Sequence, residues 1–287
     1  LAFSTVSTSA AAYIYKSLVK NVAVALLTDF GTRDYFVGVM KGVILSINPR
    51  AQVVDITHDI PPQDVLTGAF VLKAAYRWFP PRTVFVAVVD PGVGTERAPL
   101  IVKTRRFYFV GPDNGILSPA AEEDGVEEVY HITIRLPETS RTFHGRDVFA
   151  PAAAYLSLGV EPRMLGVPAA GWRRLELPRA RLEGGVIHAR VVYVDRFGNV
   201  YTSARDEVRE VASPGDVLCM ETPRGAIKAK YVETYGRASP GDTVALINSE
   251  GYLELAVVMG SAAATYGLRP GDEVKIKKCD DLRPEET

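Results

Sequence analysis

From Asn21 to Gly159 short apolar runs alternate with longer segments whose apolar residues recur three and four apart. NVAVALLTDF, AQVVDIT and TVFVAVVD read as buried strands. YFVGVMKGVILSI and VLTGAFVLKAAYRWF read as helices, the second halted at Pro80-Pro81. This strand–helix–strand rhythm commits the chain to a mostly parallel sheet with helices on its faces. APLIVKT and RFYFVG add a hairpin, VYHITI another strand, and VFAPAAAYLSLG a closing helix. The expected first domain is therefore a Rossmann-like α/β unit over residues 21–178.

The predicted strands end in acids at Asp29, Asp55 and Asp90, and Asp113 follows RFYFVG. In open α/β sheets the carboxyl ends of the strands border the ligand crevice, so a row of acids there predicts a polar site. After about residue 175 the texture changes. GWRRLELPRARLEGG reads as a charged linker, followed by VIHARVVYVD, GDVLCME, AIKAKYV, TVALIN, LELAVV and EVKIKK. Pro-Gly-Asp recurs at Pro214, Pro240 and Pro270, each time before a β-rich run. The expected second domain, residues 185–280, is an antiparallel, barrel-like β domain.

Composition narrows the partners. The chain is 47% hydrophobic and 23% charged with a formal net charge of −1, and no basic run exceeds three residues. Neither nucleic acid nor an anionic membrane surface is expected to bind it. No segment offers the run of about 18 apolar residues that spans a bilayer. Two cysteines, Cys219 and Cys279, without metal-like spacing suggest no disulfide framework and a reducing cytoplasm. Only two glutamines and five asparagines occur, which fits a thermophilic source. Residues 1–20, small and hydroxyl-rich but without a basic leader region, read as an irregular arm.

Five stretches carry candidate chemistry. VVDPGVGTER lacks the lysine of a phosphate loop and contains Pro91, so it is either a solvated turn or a frame in which Asp90 and Arg97 orient a water. In LLTDFGTRDYF, Asp29 suits bidentate bonding to a ribose diol, whereas Asp34 is either a helix-start charge or a ligand contact. In TFHGRDVFAPAAA, His144 is either a donor or base at the site, or the residue before a helix capped by Asp147. His58 is a weaker version of the same case, and His131 and His188 read as structural. In YVDRFGNVYTS, Asp195, Phe197 and Asn199 share one strand face, unless Gly198-Asn199 forms a hairpin turn. INSEGYLELAVVMGSAA is either a hairpin or a loop whose backbone reads a ligand edge.

Together TDFGTRD, HDIPPQD, VVDPGVGTER, FHGRD, DRFGNV and NSEGYLELA, in that order, resemble the S-adenosyl-L-methionine (SAM) hydrolases, or SAM hydroxide adenosyltransferases, relatives of the fluorinases and chlorinases. The resemblance runs from about Asn21 to about Lys277 and implies a trimer whose sites lie between the N-terminal domain of one subunit and the C-terminal domain of the next. It implies attack of water on the ribose 5′-carbon of SAM, giving adenosine and L-methionine without a cofactor. The family's water-activating trio falls on Asp90, Arg97 and His144; halide-using relatives carry other residues at the aspartate position. Asp29 would hold the ribose, and Asp34, Asp195 and Ser249 the methionine end. Phe143 would line the adenosine pocket, with Phe197, Asn199 and the backbone from Val257 to Met259 on the adenine. Two departures stand out. Glu250 occupies the place of a fluorinase arginine, and the DRFGN spacing is one residue shorter. Two other readings compete: a metal-dependent nucleotidase built on Asp29, Asp90, Asp113 and His144, and a non-catalytic binding protein for adenosine or SAM.

Overall fold

The computed structural model describes residues 22–279, so the expected N-terminal arm lies outside the described residues. The described residues divide into two compact units, which part between Glu176 and Leu177. In the first unit, β1 (Ala23–Thr28), β2 (Gln52–Thr57), β3 (Val84–Val88), β4 (Pro99–Thr104), β5 (Tyr108–Pro112), β6 (Val126–Ile132) and β7 (Gly166–Pro168) form one sheet in the order β2-β1-β3-β5-β4-β6-β7. The β2, β1, β3 and β5 pairings are parallel, whereas β4, β6 and β7 join antiparallel.

Helices cover both faces. On one, α1 (Phe36–Ile47) buries Val37, Met40 and Ile44, the three- and four-residue spacing that the sequence predicts. It packs there with the alanine-rich α4 (Ala150–Ser157) over Val24, Leu26, Val86 and Val88. On the other lie α2 (Val65–Ala75) and α3 (Ser118–Asp124). Asp64 starts α2, its carboxylate accepting the Thr67 backbone N–H at 2.9 Å, and Pro80 follows a final 3₁₀ turn. Phe85, Phe107 and Phe109 pack with Tyr76 at ring separations of 5.1–6.3 Å, each buried phenylalanine contributing about 1.5–3 kcal/mol.

The second unit is a closed barrel. β9 (Val186–Val194), β10 (Val200–Thr202), β11 (Val217–Thr222), β12 (Gly225–Tyr231), β13 (Thr243–Ile247), β14 (Leu253–Val257) and β15 (Glu273–Lys278) form a ring, with β8 (Arg181–Glu183) paired outside it to β9. Closure is possible because β9 pairs with β15 through Ile187–Arg190 and with β10 through Val191–Val194. The ring is antiparallel except at β12–β13, a parallel pair that the hairpin pattern of the sequence did not anticipate. Alternate residues face inward, among them Ile187, Ala189 and Val191, then Ile227, Ala229 and Tyr231.

The three Pro-Gly-Asp turns share one construction. Gly215, Gly241 and Gly271 take φ values of 106°, 89° and 93°, the left-handed region glycine tolerates. Each aspartate then accepts a hydrogen bond from the backbone N–H three residues earlier: Asp216 from Ser213, Asp242 from Ser239 and Asp272 from Arg269, at 2.8–2.9 Å.

One expectation is corrected here. Cys219 and Cys279 form a disulfide across a separation of 60 residues. Their spacing carries no pairing signal, but β11 and β15 are neighbours with Cys219 opposite Lys277, so Cys279 arrives beside it.

Candidate active site

The strand order places a topological switch between β1 and β3, since the chain runs outward to β2 and then returns to β3 on the other side. Thr28 and Val88 are register partners, so Asp29 and Asp90 emerge side by side from the carboxyl ends of these strands. This is where open α/β sheets bind ligands.

Asp90 is held by Arg97. The guanidinium donates through Nε to Oδ1 at 3.0 Å and through Nη2 to Oδ2, and the two side chains are only 7% and 5% exposed. Arg97 Nη2 also lies 2.9 Å from His144 Nδ1. Arginine has no acceptor, so it must donate, and His144 Nδ1 must be the acceptor. The remaining imidazole proton then sits on Nε2. Burial, and next the positive charge of Arg97, push the His144 pKa below its ordinary 6.5, which favours the same neutral tautomer. Arg97 Nη1 is buried without a hydrogen-bond partner among the described residues; the guanidinium carbon sits 5.3 Å from the Phe149 ring centroid.

The loop glycines permit this assembly. Gly94 (φ 78°) lies against the Arg141 carbonyl, where an added Cβ would come within 2.5 Å of the oxygen. Arg97 and His144 each follow three residues after one side of that contact. His144 leads into a π-helical turn, Gly145–Phe149, a geometry found often at functional sites. Asp147 does not cap the helix. Fully buried, it accepts from the Ser140 N–H at 2.7 Å and from Arg146 Nη2 at 2.9 Å, so it ties the preceding loop down. Burial opposes its charge, yet Arg146 and Ser140 outweigh that and lower its pKa. Phe143 packs against Phe30 and Phe36 at 6.1 and 5.3 Å.

Asp29, Asp90 and Asp113 lie just beyond the ends of β1, β3 and β5, whereas Asp55, expected at a strand end, sits inside β2 opposite Leu26. Asp55 meets Lys41 Nζ at 2.6 Å and His58 Nε2 at 3.0 Å; Lys41 and His58 outweigh burial and lower its pKa. His58 is itself buried, with Nδ1 2.9 Å from Thr28 Oγ1, so it braces the strand ends. Asp113 accepts the Arg173 N–H at 2.7 Å. Asp29 accepts the Gln63 N–H at 2.8 Å, and Asp34 is exposed one residue before Tyr35, the N-cap of α1. Among the described residues no three His, Cys, Asp or Glu side chains converge as a metal-holding group.

In the second unit Asp195 organises its own loop. Its Oδ1 accepts the N–H groups of Phe197 and Asn199 at 2.9 Å each, and its Oδ2 the Asn199 amide at 3.0 Å. The turn between β9 and β10 is therefore the whole Asp195–Asn199 loop, closed by Asp195 N–H to Asn199 O at 3.0 Å, rather than a two-residue Gly198-Asn199 hairpin. Phe197 is 76% exposed and Met259, at φ 58°, is 91% exposed. Gly198 abuts Ser261, and Ala263 N–H donates to Gly198 O at 2.9 Å, so the Phe197–Asn199 loop meets the Ser261–Ala263 segment that follows Val257–Met259 in the chain. Ser249 and Glu250 occupy the Asn248–Tyr252 turn. The charges of Asp195 and Glu250 both act on Tyr201, whose pKa is raised first by burial and next by Glu254. Tyr201, Tyr235, Asn248 and Glu254 were not anticipated; Tyr201 lies two residues beyond Asn199, the one signal that pointed toward it.

The two units match, in turn, the two domains of one family, the SAM hydroxide adenosyltransferases. Residues 24–166 match the N-terminal domain of that family and residues 189–275 its C-terminal domain, and the chain belongs to it. It is 38% identical over 259 residues to the (R)-S-adenosyl-L-methionine hydrolase of Salinispora tropica, covering 88% of this chain and 97% of that one. It is 36% identical over 262 residues to the hydrolase of the same name from Methanocaldococcus jannaschii, covering 88% and 95%. A fluorinase from an Actinoplanes species is more distant, at 28% identity over 299 residues, covering 90% and 98%. A solved structure from Thermotoga maritima superposes with a TM-score of 0.84 at 38% identity, covering 88% of this chain and 99% of that one.

Proposed function

We propose that this protein hydrolyses SAM to adenosine and L-methionine, and that Asp90, Arg97 and His144 serve the attacking water. The observation that carries the reading is the buried Arg97 fork, bonded at once to Asp90 and to His144 Nδ1. Arg97 has no acceptor and His144 Nδ1 is already occupied, so Asp90 is the one member able to take a proton. A carboxylate suffices. As the water oxygen bonds to C5′, its protons become strongly acidic, while the C5′–S bond breaks with its electron pair going to sulfur. His144 Nε2–H orients the water, and alignment removes up to about 7–11 kcal/mol of the barrier.

Asp29 holds the ribose diol and Phe143 lines the adenosine pocket. Asp34, Asp195, Ser249 and Glu250 face the methionine end, with Phe197, Asn199, Val257 and Met259 on the adenine. Substrate contacts on both units fit a homotrimer in which one subunit's α/β unit works with the barrel of the next. Among the described residues no helix is long and apolar enough to cross a membrane. Cytoplasmic residence in a thermophile accommodates the disulfide, since intracellular proteins of such organisms retain them.

The test is product analysis in heavy-oxygen water. Equal amounts of adenosine and methionine, with the label in the 5′-hydroxyl and no loss on chelation, are expected. Absence of adenosine over hours, or formation of 5′-chloroadenosine alone when chloride is added, overturns the reading. Sedimentation at a single-chain mass would remove the trimer.

A further inference from the structure

Glu254 sits on β14 between Leu253 and Leu255, which point into the barrel core, and so belongs to the outer face. It is nevertheless only 1% exposed. Its carboxylate accepts from the Tyr235 hydroxyl at one oxygen and from Asn248 Nδ2, at 3.2 Å, at the other. Tyr201 lies directly opposite it on β10. Burial pushes its pKa up, and the hydrogen bonds of Tyr235 and Asn248 work against that.

Asn248 is the link to the proposed site. Its Oδ1 accepts the N–H of Glu250 at 3.0 Å and of Tyr252 at 3.1 Å, while its backbone closes the same turn with Tyr252 and Gly251 at 3.0 Å. A primary amide can present either end to such a turn. Two N–H donors call for the oxygen, and a neighbour that accepts from the NH₂ group locks that orientation from the other side. Glu254 is that neighbour.

We propose that Glu254 is a positioning residue: by fixing which way the Asn248 amide faces, it shapes the turn that offers Ser249 and Glu250 to the amino-acid end of the substrate. This rests on the proposed role of Ser249 and Glu250. It singles out the amino-acid end of the ligand and leaves the nucleoside end untouched.

The experiment compares two probes by calorimetry, adenosine, which lacks the amino-acid end, and S-adenosylhomocysteine, which keeps it and is not a sulfonium. SAM turnover is measured in parallel. In Glu254→Leu the dissociation constant for S-adenosylhomocysteine and the KM for SAM rise about tenfold, the scale of one hydrogen bond to a charged group. Adenosine affinity stays within about twofold of the parent. Glu254→Gln, whose carbonyl can face Asn248 while its NH₂ donates to the Tyr235 oxygen, restores S-adenosylhomocysteine binding. Unchanged S-adenosylhomocysteine affinity in Glu254→Leu, equal weakening of both probes, or failure of the Gln variant to restore binding overturns the proposal. If Glu254→Leu does not fold, Tyr235→Phe carries the test. Weaker S-adenosylhomocysteine binding with unchanged adenosine binding supports positioning, and equal binding of both refutes it. A parent that makes no adenosine from SAM sinks the hydrolase reading while leaving the two binding measurements to judge Glu254.

Discussion

Gly94→Ala probes whether two loops share one catalytic geometry. At φ 78°, with Arg141 O only 2.5 Å from an added Cβ, alanine meets both backbone strain and a backbone atom that no side-chain rotation can move aside. The strain costs about 1–2 kcal/mol. To restore a tolerable 3.0–3.4 Å contact the loops must part by about 0.5–0.9 Å. Arg97 lies three residues beyond Gly94, and His144 three beyond Arg141. A separation of that size takes their 2.9 Å hydrogen bond to the limit of what counts as one.

A displacement approaching an ångström in an aligned site costs about 100-fold in rate. The control is Gly159→Ala, at φ 90° with nothing within 4 Å of its Cβ, which carries the strain without the collision. Gly159→Ala should lose about 1–2 kcal/mol in denaturant unfolding, and Gly94→Ala at least as much. Only Gly94→Ala should lose about 100-fold in the kcat for adenosine formation, followed by chromatography. A Gly94→Ala enzyme as active as the Gly159→Ala enzyme would show that the loop contact does not set the distance between Arg97 and His144.

Asp90→Asn leaves the Arg97 charge buried without its counterion and removes the proposed proton acceptor. Its kcat should fall about 10²–10⁴-fold and its unfolding free energy by about 3–5 kcal/mol, and turnover within threefold of the parent would refute Asp90 as the acceptor. Because burial and Arg97 lower the His144 pKa, the active neutral form is present above its unfolded value and is lost as pH falls. The acid limb of kcat/KM should therefore have its midpoint below 6.5, and a midpoint above that value contradicts the assignment. Replacing Cys219 and Cys279 with serine opens a 60-residue closure and should cost about 2–4 kcal/mol in reversible unfolding. Identical midpoints for the parent with and without reductant would count against the bridge.

The strand–helix rhythm was legible because buried strands and amphipathic helices leave different periods, and β1 and α1 each follow one of them. The elements that escaped notice lack a period long enough to see. β7, β8 and β10 have three residues each, and α3 begins Ser-Pro and buries nearly all its small residues. The disulfide is hidden in the sequence for a different reason, since pairing at a 60-residue separation depends on strand adjacency. The acids that the sequence places at strand ends look alike as letters. What separates them is where their partners come from: Asp55 draws on Lys41 and His58, Asp113 on the Arg173 backbone, and Asp90 on an arginine that also reaches His144.

Glu254 shows the same limit from the opposite side. The alternation LELAV places it correctly on the face away from the barrel core, and on that basis alone it reads as a solvated charge. It is buried because a segment from elsewhere in the chain, carrying Tyr235, lies over that face, and because Tyr201 arrives from the neighbouring strand. Periodicity reports which side of a strand a residue occupies; it cannot report what covers that side. A buried carboxylate in such a place holds its charge only while its donors stay fixed, and here one donor is the Asn248 amide that shapes the Ser249–Gly251 turn. Removing Tyr235 or Glu254 therefore tests the cover and the turn together, whereas replacing exposed Ser249 tests the turn alone.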